Sequence, residues 1–214
     1  RYVLPRRYTW LVTPNQMNRG APINGAIMDA TGTVAARVLA SGMLAGVTSP
    51  TRPWFKLRIA GYGQDEVNPV NIWLASCEKR MLHVFQESNF YNAIGVMFFD
   101  LAVFGTAPML IYEDFENVIH CFNPCAGEYY AANDAKLQIG SFFRKFVQTA
   151  RQLVDEFGED NVSEDVRAAC RAKGANLTQE FIVAHAIKRN YGEVAKNFKW
   201  YECYWQWGAT GTDK

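Results

Sequence analysis

The sequence lacks most of what a catalytic or cofactor-binding chain displays. Three histidines are spread over 214 residues, and no two stand at the spacing that puts two imidazoles on one helix face for a metal. The glycines Gly42, Gly46, Gly61 and Gly63 are isolated. None opens a phosphate loop closed by Gly-Lys-Ser/Thr, and there is no Gly-x-Ser-x-Gly elbow. Charge is scarce and balanced, with 22 Lys+Arg against 21 Asp+Glu. A chain that grips DNA non-specifically carries a basic excess, so composition predicts no strong nucleic-acid affinity. No apolar run approaches the ~18 residues of a membrane span, because the longest, 93–104, is broken by Asp100. Arg1-Tyr-Val-Leu-Pro5 shows no apolar core of a secretory signal. An odd number of cysteines, five, argues for reduced thiols in a cytosolic context.

What is present is material for a core. The chain is 49% hydrophobic and 14% aromatic, with six tryptophans, so it folds rather than staying disordered. One compact unit is expected, with 141–144 as the place where a boundary would fall. The first residue is not Met, and the last stretch, Trp205 to Lys214, trails into a polar, Gly-containing run. Both ends read as cuts within a longer protein.

Along the chain, Pro5, Pro14 and Pro22 make 1–22 an irregular arm. A helix is expected over 26–45, capped by Asp29 or Thr31, with Val34, Val38, Leu39, Met43 and Leu44 on its apolar face. Its small residues Ala35, Ala36, Ala40, Ser41 and Gly42 would let another helix approach closely. The alternation of Phe55, Leu57 and Ile59 with Lys56 and Arg58 predicts a strand. Pro69 starts a second helix with a stripe through Ile72, Trp73, Cys77, Met81, Val84 and Phe85. Ser88-Asn89 reads as a break and a new cap, followed by a third helix over 90–103. That helix is apolar nearly all round and so central, and Gly105 ends it. Residues 109–112 and 118–122 predict a hairpin, and 128–132 and 137–142 two further strands. A helix is expected over 144–157, a short one over 163–172, and strands over 181–187 and 198–205. This order is α+β: mixed helices and antiparallel strands, not an alternating parallel-sheet fold.

Clusters with possible chemistry are few. His120-Cys121 with Cys125 is the nearest approach to a metal set, yet zinc needs four ligands and the other cysteines are scattered. Glu113, Asp114 and Glu116, and then Asp155, Glu156, Glu159 and Asp160, sit in polar turns and read as solvated surface. A divalent-ion or acid–base role is the alternative. The basic pairs Arg6-Arg7, Lys79-Arg80, Arg144-Lys145 and Lys188-Arg189 read as solvated faces or subunit salt bridges rather than phosphate contacts. Trp200, Tyr201, Tyr204, Trp205 and Trp207 read as core or subunit packing rather than base stacking. No catalytic residue, metal or cofactor is expected.

One stretch is far more specific. Leu39-Ala-Ser-Gly-Met-Leu-Ala-Gly46, then Val47-Thr-Ser-Pro-Thr-Arg-Pro53, then Trp54-Phe-Lys-Leu-Arg58 resembles the portal (head-to-tail connecting) proteins of short-tailed bacteriophages. Four later stretches agree in order: Arg80 to Asn92, Phe104-Gly-Thr-Ala107, Gly127-Glu-Tyr-Tyr130, and Phe143 through Leu153 with Phe157-Gly158. The resemblance implies a virion component at the unique capsid vertex, assembled in the host cytoplasm. It implies a homododecameric ring and an axial channel for packaging and ejecting double-stranded DNA. The implied partners are the major capsid protein, the scaffold protein, the terminase large subunit and tail adaptor proteins, with no membrane. It implies that residues 1–214 form mainly the wing region, without stem or clip. Other readings are a head–tail adaptor or scaffold-type protein, or a metal-dependent phage nuclease using the acidic clusters. Within the motif loop, Gly46, Thr48, Ser49, Pro50, Arg52, Pro53 and Trp54 are expected to build a rigid helix-to-strand corner. Gly46 permits the helix end, Pro50 and Pro53 restrict the backbone, and Trp54 anchors the strand expected after it. Which residues contact DNA is left open.

Overall fold

A computed structural model describes residue 3 and residues 27–59, 68–172, 174–192 and 197–208. The expected arm over 1–22, with Arg6 and Arg7, and the Gly61-Tyr-Gly63 stretch lie outside the described residues, apart from Val3. The fold is α+β, and it divides into two compact units between Ala126 and Gly127, where the sequence suggested one.

The first unit holds three helices and a hairpin: α1 (Thr31–Val47), α2 (Pro69–Glu87), α3 (Phe90–Phe104), β1 (Leu110–Asp114) and β2 (Val118–Phe122). The α1 N-terminus is closed by Asp29, whose Oδ1 accepts from the Thr31 N–H at 2.9 Å. The helix turns its small residues inward. Ala36 and Ala40 are buried, while Val34, Val38 and Leu39 are more than half exposed. Of the expected apolar face only Met43 and Leu44 pack on the core. Alanines let α1 lie close against α3, and larger side chains on that face would hold the helices apart. Helix α2 starts as its proline predicts, with Asn68 Oδ1 accepting from Val70 N. No residue of α2 is buried, and Ile72 and Trp73 are 62% and 64% exposed, so its expected apolar stripe is largely uncovered. Helix α3 is the centre. Phe90, Ala93, Ile94 and Phe98 form the core with Ala40 and Cys121, and Gly105 ends the helix at φ +74°.

The second unit is a helix layer on an antiparallel sheet in the order β3-β4-β5-β6, made of β3 (Tyr129–Asn133), β4 (Ile139–Thr149), β5 (Glu180–Arg189) and β6 (Trp200–Gln206). Helices α4 (Ala150–Phe157) and α5 (Glu164–Ala172) cover one sheet face, packing Leu153 and Val166 against Phe146, Phe181, Val183 and Tyr204.

The helix expected from Arg144 is a strand as far as Thr149. The spacing of Phe146, Ala150, Leu153 and Val154 suits a helix, but the β5 register from Ser141↔Lys188 to Thr149↔Glu180 holds this stretch extended. A capping box then switches the chain to helix. Thr149 Oγ1 accepts from Gln152 N, and the Gln152 side chain accepts from Thr149 N. The expected strand over 54–59 pairs with nothing among the described residues. Its stretch keeps the alternation, with Phe55 and Leu57 half-buried and Lys56 and Arg58 exposed, but no neighbouring strand supplies a ladder.

Candidate functional site

The motif loop is tied down at almost every residue. Helix α1 runs through Gly46, which has no positive φ and whose missing Cβ would meet nothing. Gly46 is therefore not the terminator the sequence suggested. The helix ends at Thr48, whose N–H reaches Leu44 O at 3.2 Å. Thr48 and Ser49 are buried at 4% and 8% exposure. Ser49 Oγ and Thr51 Oγ1 are 3.0 Å apart, while Thr48 Oγ1 is buried with no hydrogen-bond partner. Pro50 O accepts from Gln86 Nε2 of α2 at 3.3 Å. Arg52 turns back, and its Nη2 donates to Ala45 O at 3.3 Å. A guanidinium at a helix C-terminus meets both unpaired carbonyls and the negative end of the helix dipole.

Beyond Pro53, Trp54 is the anchor. Its Nε1 donates to Tyr91 Oη at 3.2 Å, and its ring lies parallel to Phe90, 6.3 Å away. Phe90 stacks in turn on Phe85 at 4.2 Å. Leu57 N then donates to Glu78 Oε1 of α2 at 2.6 Å. The loop thus directs its polar groups at its own scaffold. Arg52, exposed and held only through one carbonyl, is the loop's outward charge.

Asn89 holds a second junction, one that sequence reading took for a helix cap. Its side chain makes no cap bond. Nδ2 donates to Cys121 O and Oδ1 accepts from Cys121 N, both at 2.8 Å. The amide thereby behaves as one residue of a strand added to β2. The cap role passes to Ser88, whose Oγ accepts from Phe90 N at 3.3 Å.

The clusters singled out in the sequence are mostly dispersed or consumed. Adjacent strand residues face opposite ways, so on β2 His120 is exposed and Cys121 buried. Burial pushes the Cys121 thiol up from its ordinary range. Among the described residues, no three His, Cys, Asp or Glu side chains come together as a metal set. Asp114 closes the hairpin turn, accepting from Glu116 N at 2.9 Å. That bond chiefly holds its carboxyl below the usual range. Arg151 pairs with Asp155 at 3.0 Å, and Arg171 with Glu159 and Glu164 at 3.6 and 3.2 Å.

Arg144 is the main departure. Expected on a solvated face, it is buried at 8% exposure, and its Nε donates to His185 Nδ1 at 2.8 Å. His185 is fully buried. An Nδ1 that accepts must be bare, so the proton of the neutral ring sits on Nε2. Nε2 lies 2.7 Å from Glu202 Oε1, at ion-pair distance but without hydrogen-bond alignment. Tyr204 stacks on the imidazole at 4.2 Å and gives its hydroxyl proton to the same carboxylate at 2.7 Å. Burial first, and the Arg144 charge second, hold the His185 pKa below its ordinary value against the upward pull of Glu202. This polar knot crosses β4, β5 and β6. No local sequence signal announced it, because the partners meet only through sheet register.

The described residues thus form two compact units, with a tightly secured corner in the first. The family model for the bacteriophage head to tail connecting protein matches residues 1–212, and the chain belongs to that family. It is 39% identical over 216 residues to a protein named "Probable portal protein" of Bordetella phage BPP-1, covering 99% of this chain and 38% of the relative. It is 41% identical over 166 residues to the "Portal protein" of Salmonella phage epsilon15, covering 78% of this chain and 30% of the relative. The chain therefore spans less than two fifths of the length of these relatives. Among the described residues, no helix is long and apolar enough to cross a membrane.

Proposed function

We propose that this chain is the wing part of a portal subunit. Copies of the subunit form a ring at the unique capsid vertex, DNA is packaged and ejected through its channel, and terminase and tail components attach to it. The family match across residues 1–212 carries this reading. The charge balance agrees with it, since a channel that grips phosphates strongly would impede sliding DNA. The role is structural. Of the acidic side chains that a metal-dependent nuclease would use, Asp114 is engaged in a turn, and Asp155 and Glu159 in ion pairs with Arg151 and Arg171.

In this reading the 46–54 loop is a corner, and Arg52 fastens it to the end of α1 rather than holding DNA. Electron microscopy of the full-length protein tests the class. Closed rings with a DNA-width hole are expected, whatever their subunit number. Particles that never close would overturn the portal reading in favour of an adaptor or scaffold-type protein.

A further inference from the structure

The two outer surfaces of the second unit differ in charge and in the elements that build them. Helices α4 and α5 pack on the sheet face that bears Phe146, Phe181, Val183 and Tyr204. Alternation places Phe143, Lys145, Ile182, Lys188 and Trp205 on the other face, all half-buried around the buried Ala184 and Ala186, and none of the five larger side chains joins a core cluster among the described residues. Lys145 Nζ sits 3.4 Å above the Trp207 ring, and Lys188 Nζ is 5.4 Å from that of Phe143. Neither ammonium has a carboxylate partner among the described residues. The ring contacts hold two long, flexible side chains flat on the sheet, so little of their freedom remains to be lost on association.

The helix side is the electrostatic complement. Residues 150–172 carry six acids against three arginines, a net charge of −3. Arg151, Arg167 and Arg171 are taken up by Asp155, Glu159 and Glu164, and Glu156 accepts from Gln148 Nε2, which leaves Asp160 and Asp165 exposed and unpaired among the described residues. An aromatic face bearing Lys145 and Lys188, with Glu180 at its end, and an anionic helical face thus lie on opposite sides of one two-layer unit. Two different, complementary surfaces make a head-to-tail contact, and such contacts repeat into rings when the rotation closes.

We infer that the helix-free β3-β4-β5-β6 face of one copy, through Lys145 and Lys188, seats the α4–α5 surface of the next copy, through Asp160 and Asp165. This inference rests on the ring reading above and names the surfaces that the ring would use. DNA is the less suitable occupant. Two lysines already held on rings fall short of the several phosphate contacts that support non-specific binding.

Charge exchange in the full-length protein tests the inference, with ring formation followed by electron microscopy and native mass spectrometry. Asp160→Lys with Asp165→Lys changes exposed residues only and is expected to abolish rings at a salt concentration where the parent forms them. Lys145→Glu with Lys188→Glu is expected to do the same, and the fourfold variant to form rings again. Intact rings in the Asp160/Asp165 variant would overturn the inference while leaving the ring reading standing. So would a fourfold variant that stays dissociated although its circular dichroism matches the parent. Lys145/Lys188 variants that form normal rings but lose DNA retention would overturn it in favour of a DNA contact. A parent protein that forms no ring would remove the ring reading itself.

Discussion

Replacing Asn89 by alanine removes both hydrogen bonds that join the start of α3 to β2. The groups left behind are the N–H and C=O of Cys121, a residue only 3% exposed. An unsatisfied buried backbone group costs roughly 1–3 kcal/mol, and two such groups set the expected loss at about 2–6 kcal/mol. The loss of side-chain packing adds little, because an asparagine reduced to alanine gives up few apolar contacts. Asn89→Asp separates the two bonds. Its carboxylate still accepts from Cys121 N, but it loses the donor and sets an oxygen against Cys121 O, so it should recover less than half of the loss. Urea denaturation gives the free energies, and amide exchange at Cys121 locates the damage. A destabilisation below about 0.5 kcal/mol, the range of ordinary surface changes, would refute the reasoning, as would unchanged protection at Cys121.

His185 gives a pH dependence with a defined sign. Its folded pKa is lowered, so the unfolded chain takes up the proton more readily. Stability from this group is therefore complete above about pH 6.5, the free histidine value, and is lost as pH falls from there through the folded pKa. Melting temperatures measured across that range should drop toward acid, and His185→Gln should flatten this part of the profile; an unchanged slope would count against a neutral buried imidazole. Val118, β-branched and 59% exposed, sits at φ +71°, a conformation that costs an L-residue roughly 1–2 kcal/mol. After the entropy cost of glycine, Val118→Gly should stabilise the hairpin by about 0.5–1 kcal/mol; a lower urea midpoint would contradict this.

Local chemistry was largely legible. Pro69, Gly105 and the acidic hairpin turn all act where the sequence places them, and α3 is central because it is apolar all round. The errors share one cause, the absence of partners from a one-dimensional reading. Phe55 to Ile59 has the alternation of a strand, but a strand exists only where another lies beside it. Residues 144–149 have helical spacing, yet β5 claims them. The boundary itself was readable, since Thr149-x-x-Gln152 is a capping-box pattern. On α1 Met43 and Leu44 pack on the core as expected, whereas Val34, Val38 and Leu39 stay exposed, and Ala36 and Ala40 make the close approach their size suggested. In the candidate site, Trp54 could be assigned as an anchor from residue type alone. The arginine–imidazole pair could not, because 41 residues separate Arg144 from His185.

That separation has a consequence for how the chain finds its fold. Arg144 and His185 face one another only in the register Arg144↔His185, and Tyr204 meets the imidazole only through His185↔Tyr204. A slip of one residue between β4 and β5 would swing the guanidinium to the opposite side of the sheet. The imidazole would then be sealed away with its acceptor nitrogen bare. Misaligned sheets are thus penalised at their centre by a polar mismatch, in addition to the loss of Phe146 from the core. The knot thus ties three strands to one alignment through residues far apart in the chain.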